Sequence, residues 1–279
     1  MTMQEQVRPR TLGKVWPFAL LLLLGLLSLK CVAADDSDRE NYKFKFNAHW
    51  WIAKPTGSLQ GDRGPIDFQK DFNFGDYNTF YGLLDWKPRR KHHFDLYIAP
   101  NQTSASHVLN REIEFQGKTF FVGETINTKL KSFIISPGYE YDFISRPRGH
   151  LGFDFLVNLF ITTGSIHTQG GVIGPGGTVT TARSASKSLF APLPTGGPIF
   201  RYYLVPSRLY VDGAISGMYF FGYGNFIATN GFLGYSLSHH FSVRGGYLVG
   251  SRTEIHGSSS RLGIRLTQKG PVLGLEGRW

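Results

Sequence analysis

Cysteine is almost absent from this chain. Of its 279 residues one is Cys, Cys31, and it lies within the first 34. If that segment is removed, the remainder has no thiol and no disulfide, so it must be stable without covalent staples. Charge is also sparse: Asp, Glu, Lys and Arg make up 18% of the chain. No HExxH, no CxxC and no paired-histidine spacing occurs, so the sequence supports no metal site. The segment GGVIGPGG (170–177) lacks the Lys-Ser/Thr of a phosphate loop and has no strand-to-helix context. The formal charge is +10, yet nothing resembles a nucleic-acid-binding module. An anionic membrane surface is the better match for that charge.

What is present is aromatic and glycine-rich: 15% Phe, Trp and Tyr, and 34 Gly. That balance suits an all-β protein with aromatic girdles and tight turns. The mean hydropathy is −0.16, close to that of a soluble protein. A closed sheet with one lipid face and one polar face averages to such a value. Residues 1–34 read as a cleaved signal peptide. Arg8, Arg10 and Lys14 form a basic start, 17–29 an apolar run, and Val32-Ala33-Ala34 a small-residue cleavage site. Lys30 stands where a lipoprotein would need a small residue, so Cys31 does not mark lipidation. Residues 35–42 form a polar leader expected in the periplasm.

The stretch 133–162 organises the rest. Phe133, Ile135, Pro137, Tyr139, Tyr141 and Phe143 share one parity. Ser136, Gly138, Glu140 and Asp142 share the other. After the basic turn ISRPRG, Leu151, Phe153, Phe155, Val157, Leu159 and Ile161 alternate with Gly152, Asp154, Leu156, Asn158, Phe160 and Thr162. Successive side chains of a strand point to opposite faces, so each run has one apolar and one mixed face. Neither run is apolar enough for a membrane helix, but both have the length and pattern of a membrane-crossing strand. The same pattern recurs at 43–52, 78–86, 92–100, 190–204, 209–221, 226–238, 241–251 and 262–279. In the last of these the apolar residues change parity near Gln268-Lys269-Gly270, which predicts a bulge there. A further hairpin is expected around Gln116-Gly117-Lys118, as a flap above the membrane.

The fold expected is all-β: an antiparallel up-and-down transmembrane β-barrel of about 10 strands, with 8 to 12 the range. Short turns alternate with long connections at 53–77, 101–127 and 163–189, the latter taken as extracellular loops. A free sheet edge cannot be hydrated in lipid, so the sheet must close. Parity sends one ionic set inward: Lys45, Asp85, Asp95, Glu140, Asp142, Asp154, Arg201, Asp212, Arg244, Glu276 and Arg278. Charges of both signs on a non-lipid face can pair, so a constricted lumen is expected. Trp50, Trp51, Trp86, Tyr141, Phe143, Tyr202, Tyr203 and Trp279 lie near strand ends and read as interfacial belts.

The leader, the ten alternating segments and the ending Gly274-Leu275-Glu276-Gly277-Arg278-Trp279 resemble the small outer-membrane β-barrel proteins of Gram-negative bacteria. The likeness spans about residues 43–279. Members usually end in Phe, where this chain has Trp279. The resemblance implies residence in the outer membrane, contact with its lipid, and insertion by the barrel-assembly machinery through the last strand. It implies no reaction and no cofactor.

Three functions stay open. The first is a non-enzymatic barrel whose exposed loops meet an external surface or stiffen the envelope. The second is a narrow diffusion channel, for which inward Gly138, Gly246 and Gly250 would leave room. The third is a hydrolase of peptide or lipid. It would draw on His256 with Glu254, on Asp62 and Asp76, or on Ser236 and Ser238 near His239. His92-His93 and His239-His240 read as solvated turn residues, and His49 as an inward residue with a structural hydrogen bond.

Overall fold

The computed structural model describes residues 38–168, 182–220, 224–255 and 263–279. The expected signal peptide, the stretch 169–181 and His256 lie outside the described residues. The chain runs β1 (Phe44–Gly61), β2 (Gly64–Asp67), β3 (Tyr77–Arg89), β4 (His92–Val108), β5 (Ile113–Phe115), β6 (Lys118–Phe120), β7 (Thr125–Arg146), β8 (Gly149–Thr168), β9 (Ser184–Val205), β10 (Leu209–Phe220), β11 (Gly224–Ser236), β12 (Phe241–Ile255) and β13 (Ile264–Arg278). Ten of these strands form a closed antiparallel barrel. Closure is made by β1 and β13, in register from Lys45↔Arg278 to Leu59↔Ile264. The first strand of the sheet is thus paired with the last, as a sheet in lipid requires.

Tight turns gather at one end, with the first described residues and the end of β13. There Lys43 and Phe44 donate their N–H groups to the Trp279 carbonyl at 2.7 and 2.9 Å. At Gly149 the turn needs a positive φ, +132°, and a side chain there would strike the Arg201 carbonyl at 2.0 Å. Only glycine makes that approach cheaply.

The faces follow the alternation in the sequence. On β1, Phe44, Phe46, Trp50 and Ile52 are exposed on the outside, while Lys45, Asn47, His49 and Trp51 are buried within. Phe153 and Phe155 are about half exposed, at 46% and 50%. Exposed aromatic and aliphatic side chains continue round the outer surface on β3, β4, β7, β9, β11 and β13. Such a belt is unfavourable in water and favourable against acyl chains.

Above the belt the strands run further than the sequence pattern indicates. Much of what reads as loop at 53–77, 101–127 and 163–189 is sheet. Here the barrel parts into two panels. The β3–β4 ladder stops at Gly82↔Ile98, and the β9–β10 ladder at Gly196↔Gly217. Pro100 and Pro192, Pro194 and Pro198, which carry no N–H, lie at these seams. The panel of β4, β7, β8 and β9 and the panel of β10–β13, β1 and β3 enclose an apolar core. It contains Leu59, Ile264 and Leu266 from one panel and Leu109, Ile126, Leu130 and Ile166 from the other. Phe68, Phe72 and Phe74 enter from the β1–β3 connection, and Phe115 and Phe120 from the β5–β6 hairpin. That hairpin turns through Gln116 and Gly117, both at positive φ, as a two-residue turn requires. The expected flap is thus present, but its aromatic residues fold into the barrel mouth.

This core corrects the expected bulge. Even-numbered residues of β13 face inward along its length, from Ile264 to Arg278. Ile264 and Leu266 are apolar because they fill the outer core; Leu273 and Leu275 are apolar because they face lipid. The apolar set changes face without a slip in β13. The register shift of this region falls in β12, between Leu248 and Ser251.

Candidate functional site in the barrel lumen

Below the apolar core, ionic side chains lie on the inward faces of the strands. Lys45, Asp85, Glu140, Asp142, Arg201, Asp212, Arg244, Glu276 and Arg278 are all buried; Asp95 and Asp154 are half-buried. Parity alone puts them inside, but the curvature of the ring decides who meets whom. Arg201 on β9 reaches Glu276 on β13, four strands away round the ring, at 2.7 Å. Arg201 also binds Asp212 at 2.9 Å, and Arg244 binds Asp212 at 2.5 Å. Arg244 lies 3.6 Å from Glu276 and donates to Asn47 Oδ1 at 3.2 Å. Arg278 donates to Glu276 Oε1 through Nε at 2.8 Å and to the Tyr203 hydroxyl at 2.6 Å. Taking so many ions out of water costs several kcal/mol each, and this web of opposite charges and donors is what offsets it.

A second ionic group adjoins it. Lys45 pairs with Asp85 at 2.7 Å, and the Tyr42 hydroxyl donates to Asp85 at 2.7 Å. His93 bridges Asp85 and Asp142, with 3.1 Å at each ring nitrogen. His150 bridges Glu40 at 2.8 Å and Glu140 at 3.5 Å. Lys87 Nζ lies 3.6 Å from Asp142 and 3.8 Å from Glu40.

Several of these partners depart from the sequence reading. His93 is fully buried, not a solvated turn residue. Lys87, near the end of β3, is likewise buried inside. Glu40 and Tyr42, read as part of a periplasmic leader, are buried against inward-facing residues of the barrel. Trp51 and Tyr203 are buried within the barrel rather than in an interfacial belt. The signal for His93, Lys87 and His150 was in the parity: each continues the inward set of its strand. Nothing local marks Glu40. His49 does face inward, but it stacks on Tyr81 at 4.4 Å, and neither ring nitrogen has a hydrogen-bond partner among the described residues.

Between the ionic groups and the outer core lies a cavity of about 220 Å³. Leu83, Ile134, Leu156, Phe160, Phe226 and Leu248 line it, with Asp95, Glu140, Asp154 and Asn158 on one wall. Asn158 is held by Ser136 at 2.7 Å and Thr195 at 2.8 Å. The inward glycines add little room. A side chain at Gly138 would meet Leu156 at 2.3 Å, and one at Gly246 would meet the Gly231 carbonyl at 2.2 Å. Gly250 lies at the irregularity in β12.

The residues considered for hydrolysis are dispersed. Ser236 hydrogen-bonds Ser242 inside the barrel, and Ser238 accepts the His240 and Phe241 N–H groups in a turn. Asp62 accepts the Gly117 N–H, and Glu254 is paired with Arg252 and Arg265. Asp76 is exposed beyond the outer core. There Arg111 also clasps Asp71, at 2.7 and 2.5 Å. Burial by itself would raise the Asp71 pKa, but Arg111 and the Asp67 amide outweigh it and hold it below the usual carboxylate range.

No family model matches this chain, and no curated protein matches it in sequence. Solved structures do match in shape. The outer membrane protease OmpT from Escherichia coli superposes with a TM-score of 0.55 at 10% identity, covering 85% of this chain and 97% of that one. The translocator domain of the autotransporter NalP from Neisseria meningitidis gives 0.47 at 8%, covering 95% and 97%. The transport unit of the autotransporter AIDA-I from Escherichia coli gives 0.42 at 9%, covering 94% and 97%. At these identities the likeness is one of fold. This chain has the fold of the bacterial outer-membrane β-barrels. Together with its exposed apolar belt, that fold assigns it to the outer membrane.

Proposed function

We propose that this protein is a non-enzymatic outer-membrane barrel with a charged, constricted lumen, whose external half meets a surface or partner outside the cell. One observation carries the reading. Ion pairs join nearly opposite walls at the periplasmic end, as in Arg201–Glu276, and an apolar core fills the space between the two panels at the outer end. A solute path would have to break both. The described residues of the outer half form a packed two-layer structure, and ionic contacts lie at its rim: Arg63 pairs with Glu112 and Glu114, and Lys118 donates to the Ser184 carbonyl. Packed, ion-paired side chains of this kind suit binding at low ordering cost. The test is conductance of the purified, refolded protein in planar bilayers. Current at the level of protein-free membranes is expected. Repeated unitary steps that disappear when the protein is left out would overturn the reading and favour a narrow channel.

A further inference from the structure

The group around His93 and His150 is built in a way that closing a lumen does not require. His93 Nδ1 lies 3.1 Å from Asp85 Oδ2, and His150 Nδ1 lies 2.8 Å from Glu40 Oε2. A carboxylate thus orients each imidazole through one nitrogen. The other nitrogens face Asp142 and Glu140: His93 Nε2 is 3.1 Å from Asp142 Oδ2, and His150 Nε2 is 3.5 Å from Glu140 Oε1. The two rings are 5.9 Å apart between centroids. His93, Glu140 and Asp142 each offer a donor atom within 4.8 Å of the other two.

Three carboxylate oxygens at this place, Glu140 Oε1, Asp142 Oδ1 and Glu40 Oε1, and the Lys87 ammonium have no hydrogen-bond partner among the described residues. Glu140 and Asp142 are 3% and 0% exposed, and the ammonium of Lys87 lies beside them, with Nζ 3.6 Å from Asp142 Oδ2. Buried carboxylate oxygens without a partner are costly and uncommon. An imidazole held at Nδ1 by a carboxylate, with Nε2 turned toward further ligands, is the usual setting of a metal-bound histidine. Two imidazoles and two carboxylates form a mixed N/O set suited to a divalent transition metal. Tetrahedral ligation at about 2.0–2.1 Å spaces ligand atoms about 3.3 Å apart. The 3.1 and 3.5 Å separations bracket that value.

We propose that His93, His150, Glu140 and Asp142 form a binding site for a divalent transition-metal ion, with Zn²⁺ the ion that best suits the donors. Asp85 and Glu40 are its positioning residues. The metal would tie β4, β7 and β8 to the segment before β1, which enters the site through Glu40.

The full chain, refolded in detergent in the presence of EDTA and then freed of it, is titrated calorimetrically with Zn²⁺. A parallel sample is refolded with Zn²⁺ present, because the site is buried. One ion per chain with a dissociation constant below about 1 µM is expected. Glu40→Gln should weaken binding about 10- to 100-fold, and His150→Ala should do so at least as strongly. Replacing the turn residues His239 and His240 by Ala should change nothing. Co²⁺ provides a readout that needs no variant: the intense visible absorption of a four-coordinate ion is expected. Absence of Zn²⁺ uptake under both conditions, uptake that His150→Ala leaves unchanged, or the weak spectrum of six-coordinate Co²⁺ would each overturn the proposal.

Discussion

Replacing Glu276 by Gln tests the reasoning about the lumen. Glu276 is 1% exposed and lies 2.7 Å from Arg201, 2.8 Å from Arg278 and 3.6 Å from Arg244; the Tyr210 hydroxyl is at 3.3 Å. Gln keeps the volume and one acceptor oxygen but removes the charge. Arg201 and Arg244 retain Asp212, while Arg278 loses its carboxylate and keeps the Tyr203 hydroxyl, the Arg39 carbonyl and the neutral amide oxygen as acceptors. Breaking one buried ion pair by neutralising a partner costs about 3–5 kcal/mol, because the remaining charge is stranded. The residual hydrogen bonding of Gln argues for the lower figure. A loss of about 3 kcal/mol corresponds to roughly a hundredfold in the folding equilibrium. Urea titration in lipid vesicles, followed by tryptophan fluorescence, gives the value, and heat-modifiable migration on gels shows whether the barrel is closed. The variant Arg278→Gln should also destabilise. The double variant should be less destabilised than the sum of the two, because Arg278 is no longer left as a stranded cation. A Glu276→Gln barrel within about 1 kcal/mol of the parent, or strict additivity in the double variant, would refute the claim that these charges balance one another.

Other outcomes follow from the same structure. Phe115→Ala removes a fully buried ring from the outer core and should cost about 3–5 kcal/mol, read as faster proteolysis within 109–124. If the cleavage rate does not change, Phe115 does not anchor the hairpin. Phe155→Arg puts a charge on the lipid face and should cost about 2–4 kcal/mol in vesicles; an unchanged urea midpoint would mean that this face does not meet hydrocarbon. Asp71 has a lowered pKa because Arg111 and the Asp67 amide overcome its burial. Its contribution is therefore complete above the ordinary carboxylate pKa and is lost as pH falls through the lowered value. Asp71→Asn should destabilise the outer half at neutral pH and remove part of its acid sensitivity, measured by hydrogen exchange of 108–124. Equal acid sensitivity in both proteins would contradict that assignment. Gly149→Ala should slow folding or prevent it, since its side chain would lie 2.0 Å from the Arg201 carbonyl; normal refolding yield would show that the turn can relax.

The sequence by itself determined the strands that face lipid and the ionic set that faces inward. A period of two cannot be misread where one face is hydrocarbon, so Phe44, Phe46 and Trp50 locate the outside and Lys45, Asn47 and His49 the inside. The pattern became ambiguous in the outer half. There the apolar environment moves from outside the sheet to inside it, and Ile264 and Leu266 change parity relative to Leu273 and Leu275 with no slip in β13. Alternation reports which face is apolar, not why. Chain closure decided the rest. Only the ring brings Arg201 to Glu276, and only the docking of the segment before β1 brings Glu40 to His150. In sequence those pairs are 75 and 110 residues apart, and no local spacing encodes a contact made across a lumen.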